Sequence, residues 1–294
     1  MTITVNQPEK INAVEGQKLE FKTSAFYAPG EHNPGFKQMR TIAETVAAFM
    51  NAEGGTLYIG SRGGMVPNCV IEGGTTLLNS YAGGASLDGG LVTHTIFRKN
   101  QSGCDGGSWQ GSNKAGVLAL NGSSHAENCL FVGNNQWNAV VLVHLYGSSV
   151  MRNCTIVDSV LSKTNDYCKS WSALVVDSGA TAQYVVIAGV TNKVDGAPCR
   201  PTGTRANFIN GALDSSIDGT SFPANTEVGT AEDFFTDYAN GDYTPKAGGP
   251  LVGRGVYYDG MASVDLAGNK RLVGSRVDIG CYECRSIPLL IIIR

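Results

Sequence analysis

Charge is scarce in this sequence. Lys, Arg, Asp and Glu make up 16% of its 294 residues, against about 25% in ordinary soluble domains. A net charge of -3 argues against a broad basic surface for nucleic-acid phosphates. Long apolar runs are missing as well. The closing stretch Leu289 to Ile293 is only five residues long, whereas a bilayer-crossing helix needs about 18 or more. Glycine has no period of three, which excludes collagen. The opening Met1 to Lys10 has neither the basic segment nor the apolar stretch of a secretory leader, and taken alone it points to the cytoplasm. What the chain does have is glycine, 38 residues, or roughly 13% against a usual 7%. Hydrophobic residues reach 42%, enough for a core. That balance predicts many short strands separated by turns, and the glycine content alone rules out a coiled coil.

From residue 63 the chain repeats. Five ten-residue stretches align without gaps: MVPNCVIEGG from Met65, LVTHTIFRKN from Leu91, HAENCLFVGN from His125, VMRNCTIVDS from Val150 and TAQYVVIAGV from Thr181. Position two reads Val66, Val92, Ala126, Met151, Ala182. Position five reads Cys69, Thr95, Cys129, Cys154, Val185, and position seven Ile71, Phe97, Phe131, Ile156, Ile187. These columns are apolar or small, while position three (Pro67, Thr93, Glu127, Arg152, Gln183) is mostly polar. Alternate residues of a strand share a face. Positions five and seven therefore face one core, which grows only as coils stack. The repeats recur at uneven intervals of 25 to 34 residues, as expected of coils that share core strands and differ in their loops. Gly63-Gly64, Gly89-Gly90, Gly122 and Gly147 precede successive repeats, where corners need unusual backbone angles.

This pattern, with its Asn-Cys steps at Asn68-Cys69, Asn128-Cys129 and Asn153-Cys154, resembles the right-handed parallel β-helix repeat family. The carboxyl-terminal pieces Phe235-Thr-Asp-Tyr-Ala-Asn-Gly-Asp-Tyr243, Gly249-Pro-Leu251, Asp265-Leu-Ala-Gly-Asn-Lys-Arg271 and Val277-Asp-Ile-Gly280 look like the closing part of choice-of-anchor surface β-helix proteins. In those proteins an alanine stands where Cys281 stands here. The resemblance spans about 63–284 and implies an exported or surface-attached protein, in tension with the amino terminus.

The first sixty residues differ. Lys18 to Lys22 reads as a strand, and Met39, Ile42, Ala43, Val46, Ala47 and Met50 mark an amphipathic helix. Gly54-Gly55 stops that helix, and Thr56 to Ile59 is the next strand. The pieces Glu15-Gly-Gln-Lys-Leu-Glu-Phe-Lys22, Thr41 to Asn51 and Gly54-Gly-Thr-Leu-Tyr-Ile-Gly60 resemble the opening of a Schlafen AlbA-type domain. The resemblance implies a nucleic-acid-associated role, in some members a metal-dependent RNase built on three acids. Carried over, Glu15 and Glu20 are two of the acids and Lys22 lies beside them. The place of the third acid holds Ser61-Arg62-Gly63-Gly64, which speaks against cleavage, and lone carboxylates are as a rule solvated.

Candidate chemistry on the repeats is thin. Polysaccharide-cleaving β-helix enzymes gather acids on one face, and here Glu72, Asp88, Asp105, Asp158, Asp166 and Asp177 are scattered. His94 and His144 are isolated and read as structural. Trp109, Trp137 and Trp171 precede successive core strands and are the candidates for stacking on sugars. Cys281 and Cys284 form a lone C-x-x-C, and zinc would need a second pair. Column six (Val70, Ile96, Leu130, Thr155, Val186) is apolar although it must face outward. A loop, the carboxyl-terminal segment or a partner should cover it.

The reading is a mainly β protein: a right-handed parallel β-helix (solenoid) with a short α/β N-terminal segment. Residues 1–60 form the AlbA-like part and offer helix 36–51 as a cap. Residues 61–215 form the β-helix, 216–284 the region attached to it and 285–294 an apolar tail, either a terminal strand or the start of an anchor. The function expected is a non-catalytic surface, structural or glycan-binding one, with a glycan as partner, no catalytic residue, no metal and no cofactor. The alternatives are an AlbA-type nucleic-acid-binding protein, a polysaccharide lyase or hydrolase, and a chimeric reading frame joined near Gly54–Gly64.

Overall fold

The short strands wind into a parallel β-solenoid. A computed structural model of the protein describes residues 2–5, 57–59, 65–77, 82–103, 115–136, 141–161, 172–193, 196–214, 222–223 and 225–284. Each coil gives one strand to each of three sheets. The first sheet stacks Leu57–Ile59, Ala85–Asp88, Leu118–Asn121, Val141–Leu145, Ser172–Val176 and Arg200–Gly203. The second stacks Met65–Pro67, Leu91–Thr93, His125–Glu127, Val150–Arg152, Thr181–Gln183 and Phe208–Ile209. The third stacks Cys69–Glu72, Ile96–Arg98, Leu130–Val132, Thr155–Leu161, Val186–Asn192 and Ala212–Asp214. Glu227–Gly229 continues the third sheet in parallel, while Thr2–Val5 closes its other end antiparallel to Cys69–Glu72. Leu57–Ile59 pairs with Ala85–Leu87 and is the first rung of the first sheet. Helix 36–51 lies outside the described residues.

The repeat columns are in register without a slip. Column two runs Val66, Val92, Ala126, Met151, Ala182, Phe208 as consecutive strand partners. Column seven runs Ile71, Phe97, Phe131, Ile156, Ile187, Leu213. Column seven is buried throughout, with the Phe97 and Phe131 rings stacked 4.7 Å apart. A sixth coil, carrying Phe208 and Leu213, thus joins the five that the sequence displays. It is disguised because Gly211 holds the fifth position. A Cβ there would collide with the Phe208 ring, whose bulk fills the space a fifth-position side chain takes elsewhere.

Column four explains the recurring asparagine. Asn68, His94, Asn128, Asn153, Tyr184 and Asn210 all have φ near +50°, the left-handed conformation that asparagine tolerates better than most residues. There the chain turns from the second sheet into the third, and the backbone N–H groups of Asn68, His94, Asn128, Asn153 and Tyr184 each donate to a carbonyl of the next coil. Gly89, Gly122 and Gly147 take the same conformation at the corner before the second sheet. Past the third sheet, a buried polar ladder closes the turn. The Asn100 side chain accepts from Gly74 N–H, Asn134 from Asn100 N–H, and Ser159 from Asn134 N–H.

The outward face of the third sheet is covered by the protein's own carboxyl-terminal segment. Leu130, Val157, Val186 and Ala188 pack there against Phe234, Phe235, Leu251 and Ile279. Column eight shows where the cover begins: Glu72 pairs with Arg98 and Lys99 in the first two coils, and Val132, Val157 and Ala188 follow. The cover starts with a short helix, Ala231–Phe234, closed by a capping box between Thr230 and Asp233. It ends with Ile279 to Cys281 lying against the sheet. Gly280 N–H donates to the Tyr184 carbonyl, and Cys281 N–H to Thr155 Oγ1. Glycine is required at 280, since a Cβ would sit 2.9 Å from Thr155 Oγ1 and φ is +103°. A truly outward strand residue is nearly neutral to truncation, within about 0.5 kcal/mol. Leu130→Ala should instead cost about 2–5 kcal/mol, the range for a buried leucine, in urea unfolding of the full chain. A cost near zero would mean that the face is not sealed.

Candidate functional site

Columns one and three of the second sheet point outward, and in the middle coils column three carries charge while column one offers His125. His125 and Glu127 are two residues apart on one strand and so share a face. Glu127 pairs with Arg152 one coil along, and His125 with Val150. The loop Tyr258-Asp259-Gly260 of the carboxyl-terminal segment arches over these side chains. Between loop and sheet lies a groove of about 410 Å³ lined by His125, Glu127, Arg152, Tyr258 and Asp259, a size within the usual range for small-ligand sites.

Glu127, Arg152 and Tyr258 are held by contacts with one another. The Tyr258 hydroxyl donates to Glu127 Oε1 at 2.6 Å, and Ala262 N–H reaches the same oxygen at 3.4 Å. The Arg152 guanidinium sits over the Tyr258 ring, 4.6 Å from its centre, a cation–π contact. Tyr258 stacks in parallel with Tyr184. The phenol oxygen also lies 3.2 Å from Asn153 Oδ1. One phenolic proton serves one acceptor, and Glu127 takes it. Turning the Asn153 amide over puts its otherwise unpartnered Nδ2 on the phenol oxygen. Burial and the neighbouring Glu127 push the Tyr258 phenol far above its usual range, so it remains a hydrogen-bond donor.

Glu15, Glu20 and Lys22 lie outside the described residues, as do Trp109, Trp137 and Trp171. His94 occupies a left-handed corner. Its Nε2 is 3.0 Å from the Val264 carbonyl, which can only accept, so Nε2 carries the proton and Nδ1 accepts from Thr93 Oγ1 at 2.8 Å. It clasps the carboxyl-terminal segment to the solenoid. His144 is fully buried, 3.1 Å from Asp177 Oδ1 and stacked on Tyr146. Cys199, Cys281 and Cys284 are free thiols, whereas Cys104 and Cys168 lie outside the described residues. Burial pushes the Cys69 and Cys281 thiols up to about 12. Among the described residues, no three His, Cys, Asp or Glu side chains gather as a metal site.

The sequence held one signal for the groove that went unread. Glu127 and Arg152 follow each other in column three, so an acid and a base stack on the outward face. Tyr258 and Asp259 reach it only through the docking of the carboxyl-terminal segment, which no local pattern announces. No family model, curated protein or solved structure matches the chain.

The groove also sets a pH dependence. His125 is exposed, and partial shielding from solvent, with repulsion from Arg152 second, lowers its imidazole from the ordinary value of 6.5. The folded chain thus takes up this proton less readily than the unfolded chain. Stability from the neutral ring is complete above pH 6.5 and is lost as pH falls through the lower folded value. The urea midpoint of the wild-type chain should therefore drop across this window, and His125→Gln should flatten the drop. An equal slope in both proteins would contradict the assignment.

Proposed function

We propose that the protein is a non-catalytic β-solenoid that holds a saccharide in the groove between the second sheet and the Tyr258 loop. The observation that carries this reading is the groove itself, where Arg152, Tyr258 and Glu127 are fixed by one another. Hydrogen-bonding groups fixed beforehand lose little freedom when a hydroxyl-rich ligand arrives. The proton-carrying groups support holding rather than chemistry: the Glu127 carboxylate is engaged by Tyr258 and Ala262, and the Tyr258 phenol keeps its proton. The likeness of the carboxyl-terminal pieces to surface β-helix proteins supports a surface role, and the likeness of the Asn-Cys repeats to the right-handed β-helix family supports right-handed winding. The nucleic-acid reading rests on Glu15, Glu20 and Lys22 and gains nothing from the groove.

A glycan array probed with the full chain should return saccharides as ligands. Tyr258→Ala, which removes one wall of the groove, should abolish the signal while the solenoid stays folded by circular dichroism. Binding to no saccharide, or binding indifferent to Tyr258→Ala, would overturn the reading.

A further inference from the structure

We propose that the groove selects saccharides bearing an anionic group, a carboxylate or a sulfate, which pairs with the Arg152 guanidinium beside His125. The inference rests on the saccharide reading above and adds the chemical class of ligand.

Arg152 is the fixed positive charge of the groove, and it is incompletely matched. Its Nε is buried without a hydrogen-bond partner. The carboxylate nearest in the ladder, Glu127, is engaged by the Tyr258 hydroxyl and Ala262 N–H instead. The ion pairs among the described residues join Glu72, Asp177, Glu227 and Glu283 to other partners. Tyr258 occupies a face of the guanidinium. A cation–π contact uses that face and leaves the N–H edge its hydrogen-bonding capacity. A planar fork of donors is matched best by two oxygens of one carboxylate or sulfate. A ligand of this kind supplies the counter-charge that the protein withholds.

His125 makes the selection depend on pH. Its ring faces Arg152 and Glu127 on the sheet, with Tyr258 and Asp259 across the groove. Burial first, and then repulsion from Arg152, lower the tendency of the ring to take a proton, and Glu127 opposes them. An anion seated on Arg152 cancels that repulsion and lets His125 take a proton, so binding and protonation favour each other. Asp259, an exposed carboxylate at the mouth, acts against the anion and is less effective because solvent screens it.

Calorimetry on the full chain tests this with a glucuronate disaccharide, its neutral methyl ester, a sulfated galactose disaccharide and acetate. The acid or the sulfate should bind, and tighten as pH falls from about 7 to about 5, across the range where histidine titrates. Esterification and Arg152→Gln should each weaken binding about tenfold or more, the loss expected for a charge-assisted pair. Arg152→Lys should recover part of it, and His125→Gln should remove the pH dependence. If Arg152→Gln does not fold, the acid and ester compared on the unmodified protein decide the matter together with Arg152→Lys. Equal binding of acid and ester would overturn the anionic selection and leave the saccharide reading standing. Acetate binding as tightly as the disaccharides would show a bare-anion site and overturn the proposal, and binding of no saccharide would overturn both readings.

Discussion

The third sheet cannot face water. A parallel sheet is commonly apolar on both sides and must be covered on both. Here the inward side meets the solenoid core, while Leu130, Val157, Val186 and Ala188 look the other way. The carboxyl-terminal segment is the element that satisfies this constraint, and much of its sequence follows from the task. Phe234, Phe235, Leu251 and Ile279 provide apolar surface, and Gly280 lets the backbone touch the sheet. Arg271 braces the contact from behind, donating to Glu283 Oε1 at 2.7 Å and to the Gly280 carbonyl. Asp265 accepts from Glu283 N–H, so the pieces around 265–271 and 277–283 interlock. Burial pushes the Glu283 carboxyl up, and the Arg271 guanidinium pulls it the other way. An enclosed ion pair of this kind adds little net stability but fixes geometry, since either partner alone would be a stranded charge.

The same docking builds the groove. His94 holds the Val264 carbonyl, and Tyr258 reaches Glu127. The loop at 258–260 is thereby placed over His125 and Arg152. Sealing one sheet thus creates a site on the next. The groove exists only in a chain whose carboxyl-terminal segment is seated, and binding should stabilise that seating through linkage.

Much of the solenoid was legible because its strands repeat a local pattern. The second and seventh columns meet residue for residue as the alignment of decapeptides implies. The apolar sixth column correctly demanded a cover, and the carboxyl-terminal segment was among the three candidates for it. Three features escaped for physical reasons. The sixth coil was hidden because Phe208 replaced volume across the core and left glycine at 211. In sequence the column-four asparagines look like a family mark, whereas their cause is a left-handed corner. The groove escaped because it joins residues about 130 positions apart in sequence, as in the pairing of Glu127 with Tyr258, and such contacts leave no periodic trace. The tryptophans, marked by their place before core strands, and the amino-terminal acids, marked by the AlbA-type resemblance, lie outside the described residues.

Native-state hydrogen exchange of the full chain bears most directly on the seal. Amides of the third sheet near Leu130, Thr155 and Val186 and those of the carboxyl-terminal segment near Leu251, Ile279 and Cys281 should open as one cooperative unit, with a common free energy and a common denaturant dependence. Exchange of residues 231–284 well ahead of the sheet, with the sheet still protected, would contradict the account: the face would then survive without its cover.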